Sequence, residues 1–182
     1  GGVPVFADIN RKNYNIDPFS LERKITQKTR AVIVQHTFGI SAPLDEIQRI
    51  CKQHSLLLIE DCAHALGAEY KGKALGSYGD GAIFSFNQDK VVSGISGGLI
   101  IINNEKMVDK FKDLKLVIRS PDKKSIIKAL VHAPVWSLAL PLYNFANIGK
   151  AIIFIAWKAG VLGNTVTDEE QRGEMPKEIM ES

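Results

Sequence analysis

Two short apolar runs on either side of one amphipathic stretch constrain the fold more than any other feature. AVIVQ (31–35) is β-branched and uncharged, as a parallel strand buried on both faces would be, and LLLIE (56–60) predicts the next strand. Between them, one face of a predicted helix carries the apolar residues Leu44, Ile47, Ile50 and Cys51. Strand, helix and strand within about 30 residues predict a βαβ unit, whose crossover is right-handed in nearly all known cases.

Further apolar runs extend this unit into a layered domain. VPVFADI (3–9) predicts a buried strand, and AIFSF (82–86) and GGLIII (97–102) predict two more. NNEKMVDKFKDLKL then predicts a helix that Asn104 caps. We therefore expect an α/β fold with a mostly parallel sheet flanked by helices.

Polar residues and a proline predict where two earlier helices begin. Asp17 is placed to cap a short helix, and Pro18 suits its first position because proline has no N–H group to leave unpaired. Ser41 is the predicted cap of the helix in the βαβ unit.

Charge and cysteine content argue against several classes of function. The 182 residues carry a net charge of +3, and the basic residues are dispersed, so we expect no nucleic-acid partner. Cys51 and Cys62 share no metal-ligand or redox spacing, so we expect no metal site. Free thiols in a reducing compartment are the better interpretation, and we expect a cytoplasmic protein.

Three polar residues lie at the ends of predicted strands, where ligands bind in α/β sheets. Lys90 follows one strand, and a lysine sheltered from water can act as an amine nucleophile toward carbonyls, as with pyridoxal phosphate. That cofactor also needs a carboxylate facing its pyridine nitrogen and donors for its phosphate. Asp61 and Ser85 could supply these groups, although an aspartate here is commonly a turn residue and a serine commonly faces outward.

Several motifs occur together in an order that carries a family resemblance. They are PVFADIN, YNIDP, KTRAVIVQHTFG, PLDEI, LLIEDCAHALGAEYKGKALGSYGDGAIFSFNQDK and GGLIIINN. Over about residues 3–116 the chain resembles the pyridoxal-phosphate aminotransferases of the DegT/DnrJ/EryC1/StrS type, which act on sugars carried by nucleotides. The resemblance implies a fold type I large domain, of which this chain is expected to be a fragment covering the middle.

The resemblance also implies a role for each matching residue. Asp61 would face the pyridine nitrogen of pyridoxal phosphate, Ser85 would bind its phosphate, and Lys90 would form the Schiff base and move the substrate proton. His64, three residues after Asp61, would contact the ring near its 3-hydroxyl, although a histidine in such a turn is as often a satisfied core residue. His36 is expected to be a structural turn residue.

The implied activity is transfer of an amino group from an amino acid, with glutamate favoured, to a nucleotide-linked keto-sugar in a homodimer. Some relatives have histidine at the lysine position and are dehydratases, so Lys90 favours transamination. Dehydration, transamination of a smaller keto compound, and cofactor binding without turnover remain alternatives. Gln88 and Val91 replace the proline and asparagine common in the family, which leaves loop geometry and substrate preference open.

Three regions are expected along the chain. Residues 1–119 would be the core of the cofactor-binding large domain, truncated at its N-terminus. Residues 120–163 would be an apolar helical insertion, and residues 164–182 the start of a connection to a small C-terminal domain.

The apolar region contains a stretch, residues 129–149, without any charged side chain. Its length would allow a membrane span, but Pro134 and Pro141 would break or kink a spanning helix. We favour short buried helices over attachment to a membrane surface through residues 129–157, and either of these over a span.

Overall fold

The computed structural model describes residues 2–87, 90–95, 97–113 and 123–162. The chain divides into two compact units, Gly1–Leu114 and Lys115–Ser182, which are described separately. The expected region boundaries at residues 119 and 163 lie outside the described ranges, so that division of the chain stays a prediction.

The first unit is built on short strands. They are β1 Ala31–Gln35, β2 Leu57–Asp61, β3 Glu69–Tyr70, β4 Lys73–Ala74, β5 Gly81–Ser85 and β6 Gly98–Ile102. The main sheet has the order β1–β2–β5–β6, in which β1 and β5 pair parallel to β2 and β6 pairs antiparallel to β5. The mostly parallel sheet is therefore confirmed, and β3 and β4 form a separate antiparallel pair.

The helices of this unit are α1 Pro18–Lys24, α2 Leu44–Gln53 and α3 Glu105–Asp113. The expected βαβ unit is β1, α2 and β2. All four apolar residues predicted on one face of α2 are buried, and they pack in one core with Leu21 of α1 and with Val32 and Val34 of β1. Burial of this face is the main reason that α2 is stable on the sheet.

Two predicted helix starts are confirmed and one is wrong. The Asp17 side chain accepts a hydrogen bond from the Ser20 N–H at 3.2 Å, and Asn104 accepts one from the Lys106 N–H at 3.1 Å. Helix α2 begins at Leu44, and Ser41 instead donates its hydroxyl hydrogen to the Ala42 carbonyl at 2.7 Å. Ser41 therefore precedes the helix by too many residues to cap it.

One face of the sheet is exposed, contrary to the expectation that β1 is buried on both faces. Val32 and Val34 are buried, whereas Ile33 between them is 68 % exposed. Successive side chains of a strand point to opposite faces, so these residues separate a core face from an outer face. Helices α1 and α2 pack on the core face.

The strand predicted for residues 3–9 is also wrong. Val3 and Phe6 are more than 80 % exposed, and the segment's one β-type pairing is an isolated bridge between Ile9 and Ile16. A strand needs a hydrogen-bonded neighbour, and the edge of the described sheet at β1 does not pair with this segment. Its apolar content was therefore a misleading signal.

The second unit contains α4 Lys123–Ala139 and α5 Ile148–Lys158, which pack against each other. Helices were expected here, and Pro134 lies inside α4 without ending it. The expectation that they are buried is wrong, because most of their large apolar side chains are exposed. In the described part of the chain, no helix combines the length and the apolar character needed to cross a membrane.

Candidate active site

The predicted site residues lie at or just beyond the edge of the main sheet that is formed by the carboxyl ends of the parallel strands β2 and β5. Asp61 ends β2 and is in register with Ile83 of the parallel strand β5, which ends two residues later at Ser85. The antiparallel strand β6 begins opposite Ser85, at Gly98. The connection that holds Lys90 therefore leaves and returns at this same edge.

Asp61 and Ser85 also share a face of the sheet. Asp61 is paired with Ile83, and residues in direct register on neighbouring strands lie on the same face. Ser85 is two residues from Ile83, so it lies on that face too. Their neighbours Glu60 and Phe84 are buried on the core face. Both candidate cofactor contacts therefore lie on the outer face, where a ligand has access.

Tight turns follow both strands. The Asp61 carboxylate accepts a hydrogen bond from the Ala63 N–H at 3.0 Å, which fixes the turn that leads to His64. The Asn87 N–H lies 3.4 Å from the Ser85 hydroxyl oxygen, and the Asn87 carbonyl accepts from the Lys90 N–H at 3.1 Å. These contacts join Asn87 to the Ser85 side chain and the Lys90 backbone N–H to Asn87.

His64 has an unused hydrogen-bonding group at this edge. Its ring is stacked nearly parallel to that of Phe38, with the ring centroids 6.0 Å apart. Its Nδ1 atom is buried and has no hydrogen-bond partner among the described residues. Because burying an unpaired polar atom is costly, a polar ligand atom at this position would stabilise the arrangement. The residues present therefore fit a cofactor that carries a ring hydroxyl.

A buried carboxylate next to Asp61 was not anticipated from the sequence. Glu60 is fully buried and accepts hydrogen bonds from the N–H groups of Gly76, Tyr78 and Gly79 at 2.6–2.9 Å. His36, also fully buried, accepts from the Ala42 N–H through Nδ1, so its Nε2 carries the hydrogen donated to Glu60 at 3.0 Å. The expectation that His36 is structural is confirmed.

These hydrogen bonds control the protonation of Glu60. Burial by itself raises the pKa of this carboxyl group. The hydrogen bonds from His36 and from the three backbone N–H groups outweigh burial, so the pKa of Glu60 lies below its ordinary value of 4.5. Glu60 is therefore ionised at neutral pH.

His36, Glu60 and Cys62 bring possible metal-ligand atoms within 4.8 Å of one another. Burial, together with the charges of Glu60 and Asp61, raises the pKa of Cys62 to about 12, so its thiol stays protonated at neutral pH. Both ring nitrogens of His36 are already hydrogen-bonded. We therefore assign the cluster a structural role. Cys62 and Cys51 are free and buried.

Comparison with known proteins shows what this chain is similar to. Residues 1–131 match the DegT/DnrJ/EryC1/StrS aminotransferase family. GDP-perosamine synthase of Vibrio cholerae is 36 % identical over 115 residues, which are 63 % of this chain and 31 % of that protein. The chain spans about a third of the length of the curated relatives it matches.

Solved structures give the same result. Helicobacter pylori PseC, an aminotransferase of pseudaminic acid biosynthesis, is 33 % identical with a TM-score of 0.59, over 66 % of this chain and 33 % of that one. A GDP-4-keto-6-deoxymannose-3-dehydratase with trapped PLP-glutamate is 30 % identical with a TM-score of 0.53, over 56 % and 26 %. Because the family match extends over more than two thirds of its residues, the chain belongs to the DegT/DnrJ/EryC1/StrS aminotransferase family.

Proposed function

We propose that the full-length protein is a pyridoxal-phosphate-dependent aminotransferase that moves an amino group from glutamate to a nucleotide-linked keto-sugar. The observation that carries this proposal is the meeting of Asp61, Ser85 and the Lys90 connection at one sheet edge in a chain of this family. The names of two similar proteins support the substrates: one makes GDP-perosamine, and the other was trapped with PLP-glutamate.

Each residue has a separate task in this proposal. When bound, pyridoxal phosphate supplies an electron sink for the carbon that carries the amino group. The Asp61 carboxylate keeps the pyridine nitrogen protonated, and the Ser85 hydroxyl together with backbone N–H groups holds the phosphate. The Lys90 amine holds the cofactor covalently and moves a proton at its Nζ atom. His64 offers Nδ1 to the ring hydroxyl.

The identity of residue 90 favours transamination over dehydration. The lysine amine can both attach to the cofactor and return a proton to a carbon atom, whereas a histidine in its place could only exchange protons. Lys90 also counts against a binding protein without turnover, since such a protein has no need of a reactive amine. The dehydratase among the similar structures makes dehydration the second candidate function. We further expect a homodimer, as the family resemblance implies.

Covalent trapping tests this assignment. The full-length protein is loaded with pyridoxal phosphate, reduced with borohydride, digested and analysed by mass spectrometry. We expect the reduced cofactor on the peptide that contains Lys90, and no adduct in the Lys90→Ala variant. Lys28→Ala is the matched control, because Lys28 is an exposed lysine of the same unit and should leave the adduct unchanged.

A trapped adduct that survives in Lys90→Ala would refute the role of this lysine. Incubation of the loaded protein with glutamate should then convert the cofactor to its amino form, which is visible by absorbance. Trapping on Lys90 without this conversion would retain the cofactor site but reject glutamate as the donor.

A further inference from the structure

In helices α4 and α5 the buried residues are small and many of the large apolar residues are exposed, which is the reverse of the usual arrangement in water. The small residues Ala139, Gly149 and Ala156 are buried. Large apolar side chains are 54–69 % exposed, among them Leu130, Leu138, Leu140, Phe154, Ile155 and Trp157. In water the largest apolar side chains are the ones that gain most from burial. Small residues between helices and large ones outside are typical of helices that face lipid.

The charge of the same segment is entirely positive. Residues 123–162 contain no aspartate or glutamate, and their charged side chains are Lys123, Lys124, Lys128, Lys150 and Lys158. The complete chain has 20 acidic and 23 basic residues, so the purely positive charge is a property of this segment and not of the whole chain. Lysines at the boundary of an apolar surface can lay their methylene groups on it while the ammonium group reaches phosphate. The complementary partner is therefore an anionic surface.

Aromatic residues line a groove on this pair of helices. The groove has a volume of about 610 Å³, and its walls include Trp136, Tyr143, Phe154 and Trp157, with Lys150 as the one charged residue among those lining it in the described part of the chain. The Lys150 ammonium lies 5.4 Å from the centre of the Tyr143 ring. Tryptophan and tyrosine concentrate where lipid headgroups meet acyl chains.

We propose that α4 and α5 bind the surface of an anionic phospholipid bilayer. The exposed apolar side chains enter the boundary between headgroups and acyl chains, and the lysines pair with lipid phosphates. Apolar residues alone would suit many partners, whereas the lysines of residues 123–162, a segment without a carboxylate, favour an anionic one. This attachment is independent of the proposed transamination, and it would keep the protein beside lipid-bound molecules.

Vesicle flotation of the full-length protein tests the proposal. We expect it to float with phosphatidylcholine vesicles that contain phosphatidylglycerol, less with phosphatidylcholine alone, and less as salt is added. The double variant Phe154→Ser/Trp157→Ser should lower the partition coefficient by about tenfold or more. Each of Lys150→Gln and Lys158→Gln should lower it by about fivefold.

Matched controls come from exposed residues of the first unit. Phe6→Ser and Lys28→Gln change side chains that are also exposed and should leave flotation unchanged. Circular dichroism of each variant verifies that its helices are intact. The salt and lipid dependence of the unmodified protein tests the proposal even if a variant fails to fold.

Two outcomes would overturn the proposal. The first is no flotation with anionic vesicles; a mass in solution that falls when Phe154 and Trp157 are replaced would then assign the surface to contact with another protein chain. The second is flotation that salt, the double variant of Phe154 and Trp157, and both lysine variants all leave unchanged.

Discussion

At the scale of single residues, the Glu60 side chain links several segments at the site edge. Its carboxylate accepts hydrogen bonds from His36, which follows β1, and from the backbone of residues 76–79, which precede β5. Glu60 itself belongs to β2, so one side chain connects the three parallel strands. Asp61, the adjacent residue, is positioned by that framework on the outer face.

Replacing Glu60 tests this framework through its dependence on pH. Glu60→Gln presents an amide N–H₂ group to the backbone donors, so we expect it to lower the free energy of unfolding by about 2–4 kcal/mol at pH 7. The pKa of Glu60 is lowered in the folded protein, so its ionised form stabilises the fold above pH 4.5, and this contribution is lost as pH falls through the folded pKa. The difference between the two proteins should therefore shrink below about pH 4.5.

Urea unfolding at several pH values measures this difference. Glu69→Gln is the control, because Glu69 is an exposed carboxylate on β3 and its replacement should change stability by less than about 0.5 kcal/mol. A destabilisation of Glu60→Gln that is equally large at acidic and neutral pH would contradict the assigned ionised state.

At the scale of elements, the sequence predicts a strand or helix correctly where the spacing of its apolar residues matches the face that the element buries in the fold. AVIVQ became β1 without a change of boundary, and the apolar face of α2 is buried as expected. VPVFADI has an equally apolar composition, but pairing with a neighbour decides whether a strand forms, and composition does not report neighbours. For the same reason, the exposure of Ile33 could not be inferred from its β-branched side chain.

The residues of the candidate site were likewise predictable only in part. Motif order and the family resemblance drew attention to Asp61, Ser85, His64 and Lys90. Glu60 was missed because its role depends on backbone N–H groups 16–19 residues away, which no local pattern reveals. A glutamate directly after four apolar residues, in LLLIE, was the available signal.

The close contact between α4 and α5 gives a second prediction. A Cβ atom on Gly149 would lie 2.1 Å from the Ala139 carbonyl oxygen and 2.6 Å from the Tyr143 backbone. Alanine normally stabilises a helix by about 1 kcal/mol relative to glycine. We expect Gly149→Ala to destabilise instead, by about 1–3 kcal/mol, because backbone atoms must separate.

The test is whether Gly149→Ala lowers or raises the stability of the protein. Thermal unfolding followed by the helical circular dichroism signal measures it, with the exposed Ala151→Ser of the same helix as a control for general effects of substitution. An increase in stability of Gly149→Ala would show that the two helices do not approach as closely as the structure describes.

At the scale of the whole molecule, the outer face of the sheet is unusual for a complete domain. Ile33 and Ile83 are 68 % and 42 % exposed, and Asp61 and Ser85 lie at the end of the same face. An exposed apolar face beside candidate site residues is typical of a surface that other parts of a protein cover. The chain spans only about a third of its relatives, so such parts exist in the proteins it resembles.

Ile33→Thr tests whether the full-length protein covers this face. In residues 1–182 alone we expect a change within about 0.5 kcal/mol, because Ile33 is largely exposed there. In the full-length protein we expect a loss of about 1–3 kcal/mol, since an apolar side chain would leave a buried contact. Val34→Thr, at a fully buried neighbour, should cost about 1–3 kcal/mol in both chains by burying an unpaired hydroxyl group. Urea unfolding of the four variant proteins and their parents measures these values, and an equally small cost of Ile33→Thr in both chains would mean that the face stays open.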